Sequence, residues 1–465
     1  MISPMTIPAG FLEELEAAFA PGELIVDPEA MEPFGRDETE DLFFPPEVVV
    51  RPRTREGVST LLGLASRHRV PVTPRGGGTG LSGGALPVEG GVVLALDRLD
   101  RIVEIDEADM VAVVEPGVIT QVLQEAVEAR GLFYPPDPAS RGSCTLGGNL
   151  AENAGGPRAV KYGVTADWVL GLEVVLADGS VIRTGGACRK DVTGYDLTRL
   201  FVGSEGTLGV ITEATLRLVP YPPARALLLA AFATMRDGLE AVLGVFREVT
   251  PSVCEFLEGA ALAAAAEHLS RPLPAPGAEA YVFLEVDGME EAEVETRLLR
   301  VGGVLEAGRA SEVLVAQNPR QTEELWALRR ATGEAVKGLS TYKEEDCVVP
   351  RSRIVELVEG VKEIAGRHGI TTLCYGHAGD GNIHVNILRM GASDRVWHEE
   401  LPGVIEEIFR LTVSLGGTIT GEHGVGYTQR RYLPIGVGPR ELEVLRSLKV
   451  ALDPLGILNP SKVLP

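Results

Sequence analysis

"PRGGGTGLSGGA", residues 74–85, is the stretch on which the reading of this chain turns. Glycine and proline fill seven of its twelve positions, and it follows a strand-like run, "VPVTPRG". Glycine has no Cβ, so successive backbone N–H groups can close around a bulky anion and cradle it. Thr79 and Ser82 add hydroxyl donors. No Gly-Lys-Ser/Thr follows, which excludes a Walker loop, and the stretch is not the Gly-x-Gly-x-x-Gly dinucleotide fingerprint in good form. Taken alone, a flexible turn accounts for it equally well.

Two further stretches share its character. "YPPDPASRGSCTLGGNLAENAGGPRAVKYG" (134–163) is dense in Gly, Asn and Pro, and "LFVGSEGTLGVITEATLRL" (200–218) is the third. Three such segments in one half of a chain imply an elongated cofactor wrapped by loops. The segments between them predict regular structure. "EVVVRP" reads as a strand, and "TREGVSTLLGLASRH" as a helix with Thr54 as N-cap. With "VPVTPRG" these make a β-α-β start. "GVVLAL" and "MVAVVEPG" are further strands, "VITQVLQEAVEARG" is a helix ending at Gly131, and Asp178-Gly179 marks a hairpin.

The bulk numbers set limits. A chain of 465 residues is too long for one core and implies two or three domains. A net charge of -23 argues against nucleic acid as a partner. The N-terminus lacks a basic start, and Glu13, Glu14 and Glu16 break its apolar run, so a surface helix is expected rather than a signal peptide. No apolar run reaches the roughly 20 residues needed to span a bilayer. The five cysteines are scattered, with no Cys-x-x-Cys, and read as buried reduced thiols of a cytoplasmic protein.

Composition changes at the proline-rich "VPYPPAR" (219–225). Beyond it, strand-like runs ("ALLLAAF", "AYVFLEV") alternate with acidic amphipathic helices ("MEEAEVETRLLRVGG", "RIVELVEGVKEIAGRHG"), which predicts an α+β domain with an antiparallel sheet. The expected domains are 1–222, 223–415 and a C-terminal segment, 416–465, that completes the active site and returns to the first domain.

Within the second half, "CYGHAGDGNIHVNI" (374–387) holds two of the chain's seven histidines. If Asp380-Gly381 form a two-residue type I′ turn, His377 pairs with His384. Opposed residues share a face with Cβ atoms about 4.5–5.5 Å apart, close enough for both imidazoles to reach one metal. Asn386 then lies on the same face. A third ligand is available in "TGEHGVG": Glu422, beside His423. Two imidazoles and a carboxylate suit Zn²⁺ with open positions, and Fe²⁺ or Mn²⁺ as well.

The three glycine-rich stretches together resemble the FAD-binding domain of the vanillyl-alcohol oxidase superfamily. "GHAGDGNIH" and "GEHGVG" resemble its FAD-linked 2-hydroxy-acid dehydrogenases, the group of D-lactate dehydrogenase, D-2-hydroxyglutarate dehydrogenase and the D subunit of bacterial glycolate oxidase. The resemblance runs from about Pro46 to the end. It implies an α+β fold, with a two-subdomain FAD-binding domain and an α+β cap domain. It implies that FAD is held by Arg75, Gly76, Gly77, Gly78, Thr79, Gly80 and Ser82 around the pyrophosphate. Pro136, Asp137, Ser143, Gly147, Gly148, Asn149, Asn153 and Gly155 follow, with Glu205, Gly206, Gly209, Ile211 and Asn459. Covalent members attach FAD through a histidine or cysteine near the first loop; Arg75 and Leu81 stand there and the nearest histidine is His68, which implies non-covalent FAD. The resemblance also implies that His377, His384 and Glu422 bind a divalent metal, Zn²⁺ first, that His423 is the base, and that Arg329 and Asn386 bind substrate. The family's second substrate cation does not align with Lys343 without a shift.

The chemistry so implied is oxidation of a D-2-hydroxy acid to the 2-oxo acid, with the C2 hydride passing to the flavin and the hydroxyl proton to His423. Electrons must then leave by an external acceptor, or by flavin and iron–sulfur partner subunits as in a glycolate oxidase. Such partners would allow attachment to the inner membrane, and a homo-oligomer is left open. Two rivals stand: a metal-only oxygenase, which leaves the glycine loops unexplained, and a flavin-binding accessory subunit, which needs neither ligands nor base.

Overall fold

Thr54 takes extended backbone, and its hydroxyl accepts from the Gly57 N–H at 3.2 Å, which starts the helix Arg55–His68 where the sequence predicts it. The computed structural model describes residues 7–465, so the first six residues of the expected N-terminal helix lie outside the described ones. The chain divides into two units. One comprises Met1–Gly155, Val164–Tyr221 and Glu422–Pro465; the other comprises Gly156–Gly163 and Pro222–Gly421.

In the first unit, Val58, Leu61, Leu62 and Ala65 of that helix pack on Val48, Val50, Val92 and Leu94 of a small sheet, all fully buried. The N-terminal helix Ala9–Ala18 adds Phe11 and Leu15 to the same core. The β-α-β start forms, but its two strands are not neighbours. Val92–Ala95 lies between Val48–Val50 and Val72–Arg75, parallel to both. The glycine loop therefore leaves from the sheet's outer strand. The C-terminal segment lies along that strand's free side: Val72 donates to the Ile457 carbonyl and accepts from the Asn459 N–H, each at 2.8 Å.

A second, five-stranded antiparallel sheet runs in the order Ile102–Asp106, Val111–Val114, Val210–Arg217, Val169–Val175, Val181–Gly185. Its last two strands are the Asp178-Gly179 hairpin. The third glycine-rich stretch leads directly into Val210–Arg217. The helix Thr120–Glu128 ends before Gly131, whose left-handed backbone closes the turn by donating to the Glu128 carbonyl.

The second unit is built on a seven-stranded sheet in which every pairing is antiparallel. The order is Ala310–Val315, Ala224–Phe232, Ala280–Gly288, Val253–Glu258, Thr371–His377, Asn382–Leu388, Tyr342–Val348. The acidic helices Glu291–Ala307 and Ile354–Arg367 form as expected. One face of the sheet packs Leu257, Tyr281, Phe283, Leu373 and Tyr375 against the helices Gly259–His268 and Pro319–Lys337. Four of the cysteines are buried, but Cys188, in the loop after the strand Val181–Gly185, is exposed. Among the described residues, no helix is long and apolar enough to cross a membrane.

Candidate functional site

The first unit contains a cleft of ≈ 240 Å³ lined by residues 74–81, 138–140, 147–149, 204–206 and 209–211, with Cys144, Thr145, Glu152, Glu422 and His423. All three glycine-rich stretches meet there. Close backbone approach is what needs the glycines. A Cβ on Gly77 would stand 2.6 Å from the Ser143 carbonyl oxygen, and Gly78 is left-handed at φ +70°. Arg75, Gly76, Gly77, Gly78, Thr79, Gly80, Gly147, Gly148, Asn149, Glu205, Gly206, Gly209 and Ile211 line the cleft as expected.

Other residues expected at the cofactor also brace the loops. Asn459 donates to the Gly84 and Glu205 carbonyls. The Ser82 carbonyl accepts from the Tyr427 N–H at 2.8 Å. Asn153 caps a short helix in left-handed backbone and accepts from the Ala166 N–H. Pro136 accepts from Gln124, Asp137 pairs with Arg141, and Ser143 donates to the Ser140 carbonyl. Gly155 packs beside the Glu422 carboxylate.

The electrostatics of the cleft follow from burial. Glu205 accepts from the Val425 and Gly426 N–H groups at 2.9 and 2.6 Å, which ties the segment after His423 to the cleft wall. Burial, then the charges of Glu205 and Asp37, holds the Glu152 carboxyl well above the usual carboxylate range, with Lys462 opposing. Burial raises Glu205 too, against its two backbone donors. Burial also pulls the Lys462 ammonium down to about 7. Arg75 Nη1 and Glu152 Oε2 are buried without a hydrogen-bond partner. A buried guanidinium nitrogen and a buried carboxyl oxygen on a glycine-rich wall fit a large anionic cofactor such as FAD.

The second unit holds the histidine hairpin, and here the expected register is corrected. The turn has four residues, not two. His377 faces Asn382, and His384 faces Tyr375. The turn closes on the His377 carbonyl, which accepts from the Asp380 and Gly381 N–H groups, and it is also pinned to its neighbours. Gly379 donates to the Cys254 carbonyl, and Gly381 accepts from the Val349 N–H. The slip is two residues, so it leaves every side chain on its expected face. His377 and His384 are both buried, with ring centroids 5.4 Å apart at 84°. Asn386 shares that face and is fully buried; neither end of its amide makes a well-formed hydrogen bond.

Carboxylates surround the pair. Glu255, fully buried on the neighbouring strand, reaches His377 Nδ1 at 2.7 Å and Arg329 at 2.7 Å (Nε) and 2.5 Å (Nη2). Burial raises its carboxyl, but His377 and Arg329 outweigh that and hold it below the usual range. Glu344 and Asp346 lie 3.5 and 3.8 Å from His384 Nδ1. Asp346 also accepts from Asn382, from the Thr420 hydroxyl and from the Gly421 N–H, which anchors the residues just before Glu422. Lys343 pairs with Ile387, so it faces away from His384 and Asn386. Two buried imidazoles with one nitrogen of His377 engaged by a carboxylate are a donor set that fits a divalent cation. Glu255, Glu344 and Asp346 escaped the sequence reading. Alternation within their strands puts a polar side chain on the histidine face, but nothing local says that the face is buried.

Comparison with known proteins places these observations. Residues 221–463 match the model of the FAD linked oxidases, C-terminal domain, and residues 46–185 match an FAD binding domain. The chain is 43% identical over 423 residues to the glycolate oxidase subunit GlcD of Bacillus subtilis, covering 90% of this chain and 89% of that one. It is 35% identical to the D-2-hydroxyglutarate dehydrogenase of Stutzerimonas stutzeri, covering 99% of both. It is also 35% identical to a D-lactate dehydrogenase of Anaerostipes hadrus, covering 96% of this chain and 95% of that one. Among solved structures, p-cresol methylhydroxylase shares the fold, with a TM-score of 0.80 at 17% identity over 99% of this chain and 98% of that one.

Proposed function

The chain belongs to the FAD-linked oxidases, and from that premise we propose that it oxidises a D-2-hydroxy acid of the glycolate or D-lactate class to the 2-oxo acid. The observation that carries the reading is the buried face that gathers His377, His384, Asn386 and Arg329 in a family whose relatives are named for 2-hydroxy acids. Bound FAD supplies the hydride acceptor, and a divalent ion, Zn²⁺ being the best match to the donors, supplies a Lewis acid for the hydroxyl.

In this reading His377, His384 and Glu422 hold the ion. His423 takes the hydroxyl proton on a ring nitrogen as the general base. Arg329 orients the substrate carboxylate. Its Nε edge is occupied by Glu255, so the contact comes from the Nη1 end of the guanidinium. Asn386 offers an amide to the same substrate. Lys343 faces away, which favours a substrate with one carboxylate over 2-hydroxyglutarate. His68 is engaged by Glu14 and Phe11 and is absent from the cleft lining, which supports non-covalent FAD. The reading also includes an external electron acceptor, or redox partner subunits of the glycolate oxidase kind, and a cytoplasmic location with membrane attachment through those partners.

The test is anaerobic bleaching of the purified flavoprotein by a panel of D-2-hydroxy acids, with metal analysis of two variants. Glycolate or D-lactate should bleach the flavin. Glu422→Ala should lose the metal. His423→Ala should keep metal and FAD yet reduce the flavin roughly 10²–10⁴-fold more slowly, the usual range for a missing general base. A metal lost from His423→Ala and kept in Glu422→Ala would exchange the two roles.

A further inference from the structure

Glu255 stands where an ionised carboxylate is hard to place. It is fully buried on the strand Val253–Glu258, one register step from the Phe256–Gly376 pair and therefore opposite His377. Three contacts compensate it. Oε1 meets His377 Nδ1 at 2.7 Å; Oε2 meets Arg329 Nε at 2.7 Å and Nη2 at 2.5 Å. Each contact constrains the residue at its other end.

Oε2 is held by the Arg329 guanidinium, so Oε1 is the acceptor of the 2.7 Å contact and His377 donates to it from Nδ1. That assigns the metal-donor role in the proposed site to the ring's other nitrogen, Nε2. The same carboxylate occupies one edge of the Arg329 guanidinium and fixes its plane, so the opposite edge is the one presented. The histidine is aimed and protonated correctly, and the arginine is turned, by one side chain.

We propose that Glu255 is a positioning residue that sets both the metal-binding tautomer of His377 and the orientation of the substrate arginine Arg329. The proposal rests on the metal and substrate roles given above. It adds that these two functions are coupled through a residue that touches neither metal nor substrate.

The experiment compares wild type with Glu255→Gln in the flavin-loaded protein, using Zn²⁺ as the probe and chelator competition as the readout. Retained FAD serves as the folding control. Zn²⁺ affinity should fall about 10–100-fold, the usual effect of losing such an orienting partner. KM for the hydroxy acid should rise more than kcat falls. Unchanged Zn²⁺ affinity in a variant whose wild type binds the ion would overturn the proposal and leave Glu255 a strut for Arg329 alone. The variant leaves the Arg329 charge buried with a poorer partner and can fail to fold. Histidine ¹⁵N spectra of the wild type then decide. A proton on His377 Nδ1 supports the proposal, and a proton on Nε2 overturns it. The same spectra decide if wild type binds no Zn²⁺, an outcome that would sink the metal reading separately.

Discussion

The cleft of the first unit and the histidine face of the second are built by opposite means. The cleft is made mostly of backbone. Its glycines let N–H groups come close, and its few side chains brace loops, as Glu205 and Asn459 do. The histidine face is made of side chains on regular strands, and its polarity is supplied by buried carboxylates, Glu255 above all. A backbone cradle tolerates changes of side chain wherever no side chain was needed, but not the addition of one. A side-chain site fails when a single donor or its support is removed.

Gly78→Asp should produce the largest effect. Gly78 is left-handed, and a side chain there would run into the Arg75 guanidinium and bring a carboxylate to an anion-binding wall. We expect no flavin to remain after gel filtration, read as the absorbance ratio of flavin to protein. Substantial flavin in this variant would break the distinction at the cleft.

His384→Ala tests the other side. It should reduce bound metal to background and abolish turnover, while the flavin-to-protein ratio stays at the wild-type value. Flavin lost together with the metal would mean that the two regions are not separable in this way.

The smallest expected effect concerns Glu152. Its folded pKa lies above the unfolded carboxylate value of about 4.3. The folded state therefore binds more protons than the unfolded one above that pH, and the group's contribution to stability falls as pH rises. Glu152→Gln is permanently neutral. Its melting temperature should exceed that of wild type by a few degrees near neutrality, with the gap closing toward about pH 4. A gap that does not change with pH would show that Glu152 is not the group holding the proton.

How far the sequence could be read follows from the same contrast. The helix from Thr54, the Asp178-Gly179 hairpin and the three cofactor loops were legible because each is encoded by residue types within a few positions. The histidine hairpin was legible in parity but not in register. Cys254 and Val349 pin its turn from other strands, and no local rule counts those hydrogen bonds. Asn153 and Asn459 carried the right motif, but their hydrogen bonds to Ala166, Gly84 and Glu205 depend on segments outside it.

By itself, the sequence determined which segments could cradle a large anion and that His377, His384 and Asn386 share one face of a sheet. Glycine content and strand alternation are local, and an even slip in register does not disturb them. The tertiary structure alone decided what holds those histidines. Glu255 lies 122 residues before His377, on a strand whose neighbours are set by the order of the whole sheet. The proton on a buried imidazole is fixed by the partner that burial brings to it, and burial is a property of the folded chain.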